Sequence, residues 1–294
     1  MTTDAAMAVV VLGASDSLVG IPKYAVGAPW APNATDVGTY SAPNIEAIIS
    51  VEPEVVLTYV SWPKVEELEG RLEPLGIRVV RLDLYKPETM FVEFKLLGLM
   101  LNRTGEAEGV AAYWRGVADV IEARVAGLKP EEKLRVYWEG YSDYSAAGPS
   151  SGWDTILRLA GGVNVFADSP ISYPKVSPEA VVERNPDAIV KSGSPSAYDP
   201  YKAVDLKPLE GVRSGIMGRP GWSGVKAVEE GRVYVLCTSY LHYLFGMVAE
   251  RAYVAKALYP SLFGDVDPEA MLRTWIEGNL KMEWRGGVWF YPSP

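Results

Sequence analysis

An α/β architecture built from two similar halves, each with a mainly parallel sheet, is the fold class the sequence predicts. Three observations lead to it: a segment that recurs in both halves, β-branched runs that each follow a short helix, and one long helical stretch between the halves. The recurring segment reads NIEAIISVEPEVVL at 44–57 and SPEAVVERNPDAIV at 177–190, and the two align without gaps. Glu46 matches Glu179, Ala47 matches Ala180, and Pro53 matches Pro186; Val56 and Leu57 stand opposite Ile189 and Val190.

Each copy has a physical reading. The Glu-Ala-aliphatic-aliphatic run is a short helix with its acid in the first turn, where the helix dipole favours it. The proline stops the helix, and the β-branched run after it is a strand apolar along its length, as a parallel strand covered on both faces requires. Ahead of the first copy, DAAMAVVVLG is a helix ending near Gly13. Ahead of the second, WDTILRLAGG is a helix ending near Gly161. In the second half a strand at 134–140, LRVYWEG, comes before that helix. The first half should have its counterpart before Thr2. The sequence begins at Met1, so a first strand is expected to be missing from it, with any signal or lipid anchor further upstream; a misplaced start would account for this.

The first half continues with a strand at 77–84. Apolar residues at helical spacing then run through Ala107, Val110, Ala111, Trp114, Ala118, Ile121 and Val125. With Thr104 as a cap and Gly127 and Pro130 as the stop, this helix has about 22 residues and spans roughly 33 Å. The second half adds a strand near 232–237, a helix near 245–258 and a short terminal segment, VWFYPSP, that suits an edge strand. The resulting domains are an N-terminal α/β lobe at 1–103, an interdomain helix at 104–128 and a C-terminal α/β lobe at 129–294.

Composition narrows the function. The net charge is −9, and no basic run occurs, which argues against nucleic acid. One cysteine, Cys237, and one histidine, His242, rule out an internal disulfide and a Cys/His zinc site. Cys237 reads as a buried structural thiol. No GxGxxG or GxxxxGK[ST] loop is present, and LAGGVN at 159–164 is a helix end. No apolar run approaches the roughly 18 residues of a membrane helix. The chain is rich in Tyr (17) and Trp (9) but poor in Phe (6), which suits half-buried rings and ligand-gripping surfaces alike.

LGASDSLVGI (12–21), the two copies of the repeat, LEPLGIRVV (72–80), LAGGVNVF (159–166) and AVEEGRVYVL (227–236) together resemble one family. It is the solute-binding proteins of ABC importers for ferric siderophores, haem, cobalamin and, in some members, molybdate or tungstate. YVAKALYPSLFGDVDPEA (253–270) is similar to the branch that includes iron-complex and oxyanion binders. The resemblance implies two Rossmann-like lobes joined by one rigid helix, an extracytoplasmic monomer, a small metal-containing ligand or oxyanion, and a membrane permease as partner. It implies no cofactor and no catalysis. In this family the acid of the recurring helix in each lobe docks onto permease arginines; the matching residues are Glu46 and Glu179.

Ligands of open α/β sheets bind beyond the carboxyl ends of the strands, and two facing lobes would bring those ends to one cleft. From the first half this selects Thr2, Thr3, Tyr59, Trp62 and Tyr85. From the second it selects Glu139, Tyr141, Tyr144, Ser194, Tyr198, Arg219, Trp222, Tyr240 and His242. Tyr141 and Tyr144 could stack on a chelate or donate to an oxyanion. Arg219 offers a guanidinium fork, and Trp222 beside it reads as a ligand wall or as packing. His242 could complete the coordination of an incoming metal, hydrogen-bond an oxyanion, or be structural. The expected function is capture of an iron(III) chelate or related metal complex for import. A molybdate/tungstate-binding protein of the same class is the alternative, and a chelatase-like or hydrolytic enzyme is a more distant one.

Overall fold

The computed structural model describes residues 1–193, 198–200, 205–238 and 240–294. The chain forms two compact units. The first comprises Met1–Arg115, Tyr243–Phe245 and Arg273–Glu283; the second comprises Gly116–His242, Gly246–Leu272 and Trp284–Pro294.

In the first unit, helix α1 (Thr3–Val11) is capped by Thr2, whose hydroxyl accepts from the Ala5 N–H. Strand β1 (Gly20–Ile21) pairs in parallel with β2 (Thr35–Asp36), and β3 (Gly38–Thr39) turns back on β4 (Ala42–Pro43). Helix α2 (Ile45–Ser50), capped by Asn44, leads into β5 (Val55–Thr58). Helix α3 (Val65–Leu72) crosses to β6 (Arg78–Arg81), which lies parallel to β5. The apolar core here is Met1, Val37, Ile48, Val56, Leu68, Leu72 and Ile77. Helix α4 (Met90–Met100) packs tightly on α5 (Thr104–Ala126): a Cβ added at Gly98 would sit 2.3 Å from the Ala107 Cβ, so only glycine fits there.

Helix α5 begins in the first unit and ends in the second. Thr104, read from sequence as its cap, is its first helical residue. Trp114 on α5 is fully buried; its indole N–H donates to Asn279 (3.0 Å), and its ring stacks on Phe245 and meets the edge of Trp275. This shared aromatic core is why Tyr243–Phe245 and Arg273–Glu283 pack in the first unit, whereas the sequence reading put all of 129–294 in the second lobe.

The second unit follows the repeat more fully. Its elements are β7 (Arg135–Glu139), α6 (Gly152–Leu159), β8 (Val163–Asn164), α7 (Pro178–Arg184) and β9 (Ala188–Gly193), then α8 (Lys207–Met217), α9 (Lys226–Glu229), β10 (Val233–Cys237), α10 (Gly246–Leu258), α11 (Pro268–Arg273) and β11 (Phe290–Tyr291). The sheet order is β11-β10-β9-β7-β8; all neighbours are parallel except the terminal β11, which runs antiparallel to β10. Every residue of β9 is buried: Ala188–Val190 are apolar, as a strand covered on both faces requires, and the polar Lys191 and Ser192 follow them toward the carboxyl end. The chain leaves β7 for β8 on one side and returns to β9 on the other. The strand order therefore reverses at β7, and the region beyond its carboxyl end is where ligands of such sheets bind.

Candidate functional site

Two groups of side chains lie beyond the carboxyl ends of β7, β9 and β10. The first is an ion network. Glu139, the last residue of β7, is wholly buried and takes a two-pronged contact from Arg219, with Nη1 to Oε2 at 2.7 Å and Nη2 to Oε1 at 2.9 Å. Lys191 on β9 approaches Glu139 Oε1 at 3.0 Å, and the Tyr137 hydroxyl and the Tyr144 N–H both donate to Oε2. Burial alone would raise the Glu139 pKa, but the Arg219 hydrogen bond and the Lys191 and Arg219 charges hold it below the usual carboxylate range. The Arg219 guanidinium lies 4.4 Å from the Tyr144 ring centre and 4.7 Å from that of Trp222. Trp222 itself is completely buried. Lys191 also donates to the Gly140 and Tyr141 carbonyls, which fixes the loop after β7.

The second group is more open. His242 follows β10, and its imidazole Nδ1 lies 2.9 Å from Oε2 of Glu250, a wholly buried carboxylate on α10. A carboxylate beside Nδ1 favours the tautomer with the proton on that nitrogen, and Nε2 lies on the side of Gly152, at the start of α6. The His242 side chain is 27 % exposed. Trp153, at the start of α6, lies 6.2 Å from the His242 ring and meets Tyr141 and Tyr173 edge-on at 5.5 and 5.6 Å. Behind it Trp138 stacks in near-parallel fashion. Tyr141 and Tyr173 are exposed, and the Tyr141 hydroxyl bonds that of Thr238 at 2.8 Å. The Trp153 indole N–H is buried with no hydrogen-bond partner among the described residues. Such a group is rare in a folded protein and fits a site that a ligand or water completes.

The first unit presents its own aromatic row. Tyr59, just beyond β5, meets Tyr40 and Tyr85 edge-on, each at 5.0 Å. Its hydroxyl donates to the buried Asp4 carboxylate at 2.9 Å; burial first, and the Asp4 charge second, push its pKa far up and keep it protonated. Arg81 pairs with Glu69 and donates to the Tyr59, Val60 and Pro63 carbonyls, which holds the exposed Trp62 loop.

The other residues selected from the sequence are scattered. Thr2 is buried as the α1 cap and Thr3 opens the helix. Tyr198 is buried, its hydroxyl accepting from the Val288 N–H. Burial pushes the Tyr240 hydroxyl up to about 12. Ser194 lies outside the described residues. Cys237 is a buried free thiol, raised to about 12 by that burial, so it is held as a neutral thiol at neutral pH. Glu46 and Glu179 are exposed in the first turns of α2 and α7, as the repeat places them. Sequence reasoning missed Trp153, Tyr173 and Glu250. Trp153 and Glu250 sit in helices whose apolar pattern reads as core; Tyr173, in the loop SPISYPKV, gave no signal.

Residues 1–240 match the family model described as periplasmic binding protein. The chain belongs to this family. A curated relative, the vitamin B12-binding protein of Salmonella typhimurium, is 30% identical over 178 residues, covering 60% of this chain and 65% of the relative; the match thus spans less than two thirds of that protein. Among solved structures, the chain is similar to the TroA-like periplasmic binding protein FepB from Veillonella parvula, with a TM-score of 0.82 and 22% identity over 99% of this chain and 90% of that one. It is also similar to the molybdate-bound periplasmic binding protein MolA of Haemophilus influenzae, with a TM-score of 0.74 and 20% identity over 97% and 92%. These likenesses show the fold. No helix among the described residues of this periplasmic binding protein is long and apolar enough to cross a membrane.

Proposed function

We propose that this periplasmic binding protein captures a metal chelate, an iron(III) complex or a related haem- or corrinoid-like ring, and hands it to the permease of an ABC importer. The observation that carries the reading is the Tyr141, Trp153, Tyr173 and His242 group. It combines exposed ring edges for a flat ligand, a buried indole N–H without a partner, and an imidazole backed by a carboxylate. The B12-binding relative supports the same ligand class.

The molybdate or tungstate reading has less support. A compact oxyanion site needs charged donors, and Arg219 and Lys191 are both engaged by Glu139. The start of α6 beside His242 is already capped by the Ser151 hydroxyl and carries the Asp154 carboxylate, which repels an anion there. Tight one-to-one binding without turnover is the expected behaviour, with Glu46 and Glu179 as the docking acids.

Intrinsic tryptophan fluorescence, followed while cyanocobalamin, haemin, a ferric siderophore and molybdate are added in turn, tests this. Saturable quenching by one or more of the ring-like or chelated metals, with none by molybdate, is expected. A response to molybdate alone would transfer the assignment to the oxyanion class, and no response to any of the four would sink the chelate reading.

A further inference from the structure

The ion network of the second unit is short of one buried negative charge. Arg219 and Lys191 are nearly buried, with 9 % and 6 % of their side chains exposed, and Glu139, the buried carboxylate they share, answers one of their two positive charges. Among the described residues, the other carboxylate paired with these cations is Asp143. It reaches Arg219 Nη2 at 3.2 Å and Lys191 Nζ at 3.4 Å through a single oxygen, Oδ1, and its side chain is 68 % exposed. A lysine ammonium has three protons, and four oxygens surround that of Lys191. They are the Gly140 carbonyl at 2.7 Å, Glu139 Oε1 at 3.0 Å, the Tyr141 carbonyl at 3.2 Å and, most distant, Asp143 Oδ1. The charge that completes the network is therefore held at its outer edge and by its longest contacts.

The main chain around Asp143 is tied down, whereas the side chain is not. Lys191 donates to the Gly140 and Tyr141 carbonyls, Lys175 donates to the Asp143 carbonyl, and the Tyr144 N–H donates to Glu139. Tyr144 adopts a left-handed conformation, with φ 61°, which persists where surrounding contacts over-determine it. Rotation of the Asp143 side chain alone thus uncovers Arg219 Nη2 and Lys191 Nζ and leaves the loop in place. The uncovered site carries one net positive charge, which matches a single carboxylate and not a tetrahedral dianion. It also lies close to the exposed rings. Tyr141, which meets Trp153 edge-on, is two residues from Asp143, so their Cα atoms are within about 7 Å of each other.

We propose that Asp143 stands in for part of the ligand: in the loaded protein a free carboxylate of the chelate takes its place on Arg219 and Lys191, and Asp143 turns to solvent. The ligand class is then a flat metal chelate bearing a carboxylate on a short arm from its ring. A carboxylate that is not tied to the loop can offer both oxygens where Asp143 offers one. The inference rests on the chelate reading for the ring, but occupancy of the subsite is measurable with a simple carboxylate alone.

Acetate is the first probe. About 0.2 M sodium acetate should raise the melting temperature of Asp143→Ala by roughly 2 °C over sodium chloride of equal ionic strength, and should leave wild type unmoved. Haemin and its dimethyl ester are the second probe, since they share one iron ring and differ only in whether the carboxylates are free. Wild type should bind haemin roughly 10–100-fold more tightly than the ester, and Asp143→Ala should widen that ratio because the internal competitor is gone. An acetate effect no larger than that of chloride would overturn the proposal, and so would equal affinities of wild type for haemin and its ester. The ester comparison on wild type decides the matter should Asp143→Ala fail to fold. Binding of neither ring, with the acetate effect intact, would remove the chelate reading and leave the carboxylate subsite standing.

Discussion

The second unit joins five strands into one sheet around β7, whereas the first divides its strands among three separate pairs, β1 with β2, β3 with β4 and β5 with β6. Each unit nevertheless buries a carboxylate near its strand ends, Glu139 in the second and Asp4 in the first. Glu139 answers to two nearly buried cations, Arg219 and Lys191, while Asp4 receives the neutral Tyr59 hydroxyl and the Leu244 N–H. The difference teaches where fixed charge sets a loop: the cations of the second unit tie the segment after β7 in place, and the first unit ties the loop after β5 with Arg81, the last residue of β6 and the neighbour of Thr58 in the pair.

The largest expected effect follows directly. Glu139→Gln removes the buried counter-charge of Arg219 and Lys191, leaving them only the exposed Asp143 carboxylate at 3.2 and 3.4 Å, and should cost about 3–5 kcal/mol of stability, read as the urea midpoint. Asp4→Asn, which leaves hydrogen-bonding capacity beside neutral donors, should cost about 1–3 kcal/mol. Equal losses would break the comparison. The pH dependence sharpens it. The folded Glu139 pKa lies below its ordinary value of 4.5, so its stabilisation is complete above that value and is lost as pH falls through the lower folded one. The wild-type melting temperature should therefore fall more steeply than that of Glu139→Gln as pH drops below about 4.5.

Much of this frame was legible in the sequence because it rests on local rules. The recurring Glu-Ala-aliphatic run with its proline placed α2 with β5 and α7 with β9, and the helical spacing from Ala107 to Val125 gave α5 nearly end to end. The site was legible only in part. His242 and Tyr141 were selected because they follow strands, a position that can be counted. Arg219 follows the same logic, yet it meets Glu139 across a sequence separation no local pattern encodes. Glu250 and Trp153 lie in helices whose composition reads as core, and only packing shows that they back His242. Phe245 and Trp275 were assigned to the second half by order along the chain, whereas an aromatic core around Trp114 holds them in the first unit.

A smaller effect separates ligand contact from scaffold. His242→Ala and Tyr141→Ala should each weaken chelate binding by roughly 10–100-fold, and Glu250→Gln should do so through the imidazole it orients. Tyr59→Phe keeps the ring of the first unit's row and removes only the bond to Asp4. If ligand affinity resides in the second unit, this variant should bind within about 3-fold of wild type in the same titration, and a loss as large as that of His242→Ala would move the site. Gly152→Ala should act more weakly: the added Cβ would stand 3.2 Å from His242 Nε2 and press on the imidazole, so affinity should fall a few-fold in the same titration.

The smallest effect on the isolated protein is expected at Glu46 and Glu179, and there it is informative. Both acids are exposed in the first turns of equivalent helices. Reversing them to lysine loses a favourable dipole interaction worth about 0.3–1 kcal/mol each and touches neither aromatic group. Melting temperature and chelate affinity of Glu46→Lys/Glu179→Lys should therefore stay close to wild type. Uptake through the cognate permease, measured in reconstituted vesicles, should collapse if these acids dock the two units. Single reversals should give intermediate losses, since each removes one of two contacts. Unchanged uptake by the double variant would end the docking assignment and leave the matching acids as helix-start residues preserved by the repeat.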